Sequence, residues 1–467
     1  MVATVGQLRG LAALGLLDRV GYLSCVSGSA WAVVPYLYAA GGVARLGHVT
    51  PPAQCTAARL DRVEQHSLLA PATRAFRHTL AAMDADPAVS SDQAWSRAVG
   101  DTFLRPYGLH DPFAPIGFGP ASGSLSAASP STAPPPRCHR PRAAWPFPVV
   151  HATLNWPEAR SPGQHRLPFE FTPLYVGSPS RRTLHDAKAG SRTVGGALVE
   201  PCGFGCDPPP RFDDTGCVGV VPPARVFTLT DMLGASSALN TPDRDVSGYP
   251  HARYWTLPGA DGGPDCVSDL FTDGGDVDTL AVLGMLRRRI PAMVVCINSV
   301  WPLALDHDTR RWPEPGQIDP AVAPLFGQPS PRWPRNQVFA RASYREVVST
   351  WQACKRAGRP LVASTRLRVE PNAWWGIDGG WDVSVCWVYN SRVAGWEAEL
   401  GDDVRRLLSA DSDPAAEGTL ARFPHYRTVG QNPGALTRLT ARQANLLADL
   451  AGWGVLESGD AFRAVLG

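Results

Sequence analysis

Residues 267–299 read VSDLFTDGGDVDTLAVLGMLRRRIPAMVVCINS. Val267–Thr272 is an apolar run of strand length, Asp273-Gly274-Gly275 is a turn, Leu280–Arg289 has helical spacing, and Ala292–Asn298 is a second apolar strand. Strand, helix and strand in that order imply a parallel pair joined by a crossover, and hence an α/β sheet. Downstream, Tyr344–Arg356 reads as a helix, 361–370 and 381–389 as strands, and 440–456 as closing helices. Upstream, Val149–Leu154 and Phe169–Val176 read as strands, while 200–265 is rich in Gly, Pro and Asp and reads as mostly irregular. Residues 52–108 carry helical periodicity interrupted by Pro71 and Pro87. Residues 113–148 contain ASGSLSAASPSTAPPP, which has little to bury and reads as a disordered insert. No internal repeat is evident, so residues 1–467 are expected to form one elaborated domain.

At the other end of the chain, Leu8, Leu11, Ala12, Gly15 and Leu16 recur at helical spacing. Gly21–Val26 then reads as a short buried strand and Ser29–Ala40 as a helix. The join between them, YLSCVSGSAW (Tyr22–Trp31), has the layout of a nucleophile elbow, in which a tight turn pushes a serine hydroxyl out at the end of a strand. Ser27 is the candidate nucleophile. Small neighbours, Cys25, Gly28 and Ser29, suit the crowding of such a turn. The helix that follows aims its amide dipole at the serine, and the Gly28 N–H is the natural donor to a developing oxyanion. Ser27 as a plain helix N-cap is the competing interpretation. Ser24 lies within the strand and Ser29 inside the helix, which makes both weaker candidates.

A serine nucleophile needs a proton acceptor. None of the eleven histidines stands at a recognisable strand end with an acid nearby, so a Ser-His-Asp triad has little support. Asp-Gly-Gly offers an alternative, a carboxylate at a strand end followed by residues that let the chain turn sharply beside the serine. A free aspartate titrates near ~3.9, and enclosure in an apolar, substrate-covered cleft makes such a carboxylate a stronger base. The tripeptide occurs at Asp261, Asp273 and Asp378. Asp261 follows no strand, and Asp378 lies between Trp-rich strands where Asp-Gly signals a hairpin turn. Asp273 ends an apolar strand and precedes the helix, and it is the expected base.

Composition adds exclusions. Hydrophobic residues make up 44% and the formal net charge is +2, with Lys188 and Lys355 the only lysines. The arginines are scattered with no basic, aromatic-interleaved stripe, so nucleic acid is not an expected partner. Cys202, Cys206 and Cys217 lack an evident fourth ligand, so they read as loop cysteines and no metal is expected. Cys25 and Cys296 sit in apolar runs, and a reducing compartment is expected. Met1–Leu17 lacks the basic leader of a signal peptide. Val20–Ala44, the most apolar stretch, is interrupted by Ser24, Ser27, Gly28, Ser29 and Pro35, so no transmembrane segment is expected.

Three motifs occur in an order that resembles the cytosolic phospholipase A2 / patatin-like acyl hydrolase family. LGLLDRVGYLSCVSGSAW (14–31) resembles its G-L-S-G-S-x-W nucleophile segment, and TDGGDVDTLAVLGMLRRRIPAMVVCINS (272–299) the segment with its catalytic aspartate. FEFTPLYVGSP (169–179) resembles its F-E-F-(S/T)-P-Y strand, with a weaker likeness in FPHYRT and LTARQANLLADL towards the C-terminus. The resemblance implies a three-layer α/β/α fold with a central mixed sheet and irregular insertions. It further implies a Ser27–Asp273 dyad without histidine, cofactor or metal, and hydrolysis of fatty-acyl esters of phospholipids or lysophospholipids by a cytoplasmic protein in transient contact with a membrane surface. Cys25 replaces the motif's first glycine, and Pro35 should bend or shorten the helix after the serine. The family's G-G-G-x-R turn, which supplies oxyanion amides and an arginine, should precede the first helix and is not found, nor is the strand before it. The chain from Met1 is therefore expected to be a weak catalyst. A non-catalytic relative that keeps a lipid-binding cleft, and a serine esterase using a histidine such as His185 or His251, are the alternative readings.

Overall fold

The computed structural model describes residues 1–117, 138–157, 165–207, 225–239, 246–255, 266–410, 413, 418–426 and 438–467. Chain contacts divide it into two compact units, one of Tyr22–Ala40 with Phe76–Val277, the other of Met1–Gly21, Gly41–Ala75 and Asp278–Gly467. Both combine helices with a mixed sheet, so the α/β class expected from the sequence is found.

The first unit contains β1 (Tyr22–Val26), β2 (Phe147–Trp156), β3 (His165–Phe171), β4 (Val176–Gly177), β5 (Arg182–Asp186), β6 (Gly190–Val194), β7 (His251–Trp255) and β8 (Cys266–Asp273). Its main sheet runs β4-β3-β2-β8-β7, with β1 also on β2, and β5 and β6 form a separate hairpin. Only the β1–β2 pair is parallel; the other pairs are antiparallel. β2 is buried along its whole length and organises the sheet. β3 covers one of its edges over Val150–Trp156, which leaves the other edge to β1 over Phe147–His151 and to β8 over Ala152–Asn155. The C-terminal ends of β1 and β8 therefore meet head to head on that edge.

Alternation along β3 sends Phe169 and Phe171 into an aromatic cluster with Phe204, Phe227, Tyr254 and Phe271, ring centroids 4.7–6.5 Å apart. The helix Leu229–Ser237 packs closely on the helix Ser91–Val99, because Gly234 has no side chain: a Cβ there would lie 2.0 Å from Ser96 Oγ. Leu229–Ser237 lies in the stretch expected to be irregular. Its start is set by a capping box, in which Thr228 Oγ1 accepts from the Asp231 amide and Asp231 Oδ2 accepts from the Thr228 amide. Of the expected insert 113–148, residues 118–137 lie outside the described residues. Its flanks are ordered, with Arg142 donating to Tyr36 O at 2.6 Å and Ile116 bridging to His139.

The second unit contains β9 (Ala292–Ile297), β10 (Leu361–Arg368) and β11 (Asp382–Tyr389) in the order β10-β11-β9, with β11 antiparallel to β10 and parallel to β9. This corrects the expected parallel pairing of β8 with β9. Both edges of β8 are taken by antiparallel partners, β2 and β7, so β9 has no edge of β8 to join. The expected helix Leu280–Arg289 is also shorter, Gly275–Asp278 and then Leu283–Arg287. The N-terminal helix Val2–Ala13 crosses Ala441–Glu457 at glycine contacts: a Cβ on Gly6 would lie 2.1 Å from Ala448 O. Arg9 and Asp449 form a buried ion pair at that crossing, 3.7 Å apart.

Candidate active site

Ser27 follows β1 directly and begins a short 3-10 turn, Ser27–Ser29, which leads into the helix Ala30–Tyr38. Its φ is +53°, one of three positive values among the described non-glycine residues. A serine in the left-handed region is held there at a cost of roughly 1–3 kcal/mol. A plain N-cap residue sits instead in extended backbone. The turn is closed by Ser29, whose hydroxyl accepts from the Val26 amide at 2.9 Å and donates to Val26 O at 2.6 Å. Trp31 anchors the helix start by stacking on Phe103, centroids 4.2 Å apart. Pro35 is accommodated one turn before the helix ends, with Ala39 already extended.

The neighbouring nucleophiles are otherwise engaged. Ser29 is committed to the turn, and Cys25 is fully buried, which pushes its thiol far above the usual range and keeps it protonated. Ser24 Oγ lies 2.8 Å from His151 Nε2. Ser27 enters the described hydrogen bonds through its backbone: its amide donates to Ser236 Oγ at 3.1 Å.

Asp273 is the last residue of β8 and pairs with Ala152, one residue past the partner of Val26. Its side chain is buried, and Oδ1 accepts from the Gly275 amide at 2.7 Å. The backbone is pinned on both sides, by Thr153 Oγ1 donating to Asp273 O at 2.8 Å and by the Asp273 amide donating to Ala238 O at 2.8 Å. Gly274 packs directly against the elbow: a Cβ on it would lie 2.6 Å from Val26 Cγ2 and 2.5 Å from His151 O. Ser27 and Asp273 thus stand at two strand ends that abut, and Gly28 is the next residue along the turn. Asp378, by contrast, is exposed and paired with Arg289 at 2.8 Å. Asp261 and Cys217 lie outside the described residues.

Two features were not expected from the sequence. His151 and Glu170, both buried, stand opposite each other on β2 and β3, and Tyr175 donates to Glu170 Oε2 at 2.9 Å. With Ser24, whose hydroxyl lies 2.8 Å from His151 Nε2, they place polar side chains on three adjacent strands. The second is Ser236, on the helix the sequence hid; the Thr228-x-x-Asp231 box was the available signal for it. His185 and His251 make local contacts, to Ser191 Oγ at 2.6 Å and Tyr249 O at 2.7 Å. Cys202, beside Glu200, is pushed up to about 11, chiefly by burial, so its thiol stays protonated at neutral pH.

Among the described residues no helix is long and apolar enough to cross a membrane. No family model matches the chain, and no curated protein matches its sequence. Among solved structures, human GIVD cytosolic phospholipase A2 aligns with 100% of this chain at 14% identity and a TM-score of 0.45. This chain spans 58% of the length of that structure.

Proposed function

We propose that the chain is a lipid acyl-ester hydrolase of the phospholipase A or lysophospholipase type, with Ser27 as nucleophile and Asp273 as its base. The observation that carries this reading is the strained Ser27 backbone, φ +53°, at the end of β1 where β8 also ends. The substrate class rests on the motif resemblance in the sequence. In this mechanism Ser27 Oγ bonds to the ester carbonyl carbon while its proton passes to Asp273, over a contact of roughly 2.6–3.2 Å made as the acyl chain fills the site. The oxyanion takes the Gly28 N–H, assisted by the N-terminus of the helix Ala30–Tyr38. Collapse breaks the C–O bond to the alcohol, which leaves with the proton from Asp273. Water, deprotonated by the same carboxylate, then attacks the acyl carbon, and Ser27 Oγ leaves with the proton returned from Asp273 as the fatty acid is released.

The Ser24–His151 contact supports a second reading, in which His151 activates Ser24. Ser24 has no turn beside it to donate amides to an oxyanion, because its backbone lies within the β1–β2 ladder. Hydrolysis of lysophosphatidylcholine and of a p-nitrophenyl acyl ester by Ser27→Ala and Ser24→Ala variants separates the two. The dyad predicts a loss of about 10³-fold or more in Ser27→Ala and near wild-type turnover in Ser24→Ala. The reverse pattern moves the chemistry to Ser24 and His151.

A further inference from the structure

Ser236 is fully buried at the C-terminal end of the helix Leu229–Ser237 and touches three parts of the candidate site. Its hydroxyl accepts from the Ser27 amide at 3.1 Å and donates to His151 O at 2.7 Å. Its own carbonyl accepts from the Gly274 amide at 3.1 Å. One residue therefore holds the serine turn, the strand between the two abutting ends, and the glycine that follows the aspartate. A left-handed serine persists only when its surroundings over-determine it. The Ser27 amide lies past the last register pair of β1 with β2, and its acceptor is a side chain, Ser236 Oγ. The helix sits directly against Ser96, an approach that Gly234 permits by having no side chain.

We infer that Ser236 is a positioning residue that sets the conformation of Ser27 and its register against Asp273. The inference rests on the dyad reading and specifies what holds its geometry. Ser237 is the control within the same helix. It is equally buried, but its hydroxyl donates to Leu233 O at 2.6 Å, inside its own helix.

The test compares Ser236→Ala, Ser237→Ala and Ser27→Ala in the full chain. The readouts are ester turnover, labelling by a serine-reactive phosphonate, and hydrogen exchange of the peptide covering residues 22–31. Ser236→Ala is expected to lower kcat and the labelling rate by about 10–100-fold with little change in KM, as a misplaced nucleophile does. It should also speed exchange at the Ser27 amide by about tenfold, as loss of one hydrogen bond implies. Ser237→Ala should lose comparable stability and change none of these. Wild-type exchange over 22–31 in Ser236→Ala, or the same acceleration in Ser237→Ala, overturns the inference. Labelling that survives in Ser27→Ala defeats the dyad reading instead, and the exchange result still decides whether Ser236 holds the turn.

Discussion

At Asp273 the Asp-Gly-Gly tripeptide closes a strand; at Asp378 it stands exposed in the connection between β10 and β11. The glycines serve different purposes in the two places. Gly274 is required by space, since a side chain there would strike Val26 and the His151 carbonyl. Gly379 and Gly380 adopt φ of +71° and +80°, and the second has open surroundings. The acids diverge in the same way. The Asp273 backbone is pinned by Thr153 and Ala238, whereas Asp378 meets Arg289 in water, where an ion pair contributes about 0–1 kcal/mol. One tripeptide thus makes a rigid carboxylate in one setting and a loop in the other, and the partner strands decide which.

The largest expected contrast is catalytic. Asp273→Asn keeps the oxygen that accepts from Gly275 but cannot take a proton, so ester turnover should fall by about 10²–10⁴-fold. Asp378→Asn should match wild type within about twofold, as surface substitutions do. Equal losses in the two variants would erase the distinction between the turns.

The same contrast recurs a few residues on, in the response to pH. Asp278 is buried, and desolvation pushes its carboxyl up to about 6 despite amide donors from Leu283 and Leu280. Asp382 is exposed, and Arg368 and Arg366 hold its carboxyl below the usual range. Because the folded Asp278 binds its proton more tightly than the unfolded one, its contribution is fully present below about pH 4 and is lost as pH rises through about 6. The stability lost is of order 3 kcal/mol. Thermal or denaturant unfolding between pH 4 and 7 should show this decline, and Asp278→Asn should flatten it.

Gly274→Ala and Gly380→Ala sharpen the comparison at smaller scale. The first forces a methyl against a backbone carbonyl and should cost about 2–3 kcal/mol together with much of the activity. The second is strained only by its dihedral, about 1–2 kcal/mol, and should leave turnover per folded molecule unchanged. Urea midpoints with parallel ester assays separate the two.

Much of the strand, turn and helix around Ser27 was legible in the sequence because it is local. A mostly apolar pentamer, Tyr22–Val26, broken only by Ser24 and followed by Ser-Gly-Ser, dictates strand, turn and helix start within ten residues, and β8 ends at Asp273 as its apolar run requires. The pairing of the strands was not legible. β8 joins β2 and β7 antiparallel, and β9 joins β11, because each strand takes whatever edge the others leave free, which no local pattern encodes. His151 escaped for a related reason: its neighbours Ser24 and Glu170 lie on the flanking strands and not along the chain. Ser236 was hidden by composition, in a helix of nine residues set among glycine, proline and aspartate.

In the proposed mechanism Ser27 forms the covalent intermediate. Its most direct test is mass mapping of the adduct left by a serine-reactive phosphonate on the full chain. A single modified peptide containing Ser27 is expected, absent in Ser27→Ala and still present in Ser24→Ala and Ser29→Ala. An adduct on Ser24, or on any serine outside the Tyr22–Trp31 segment, would contradict it.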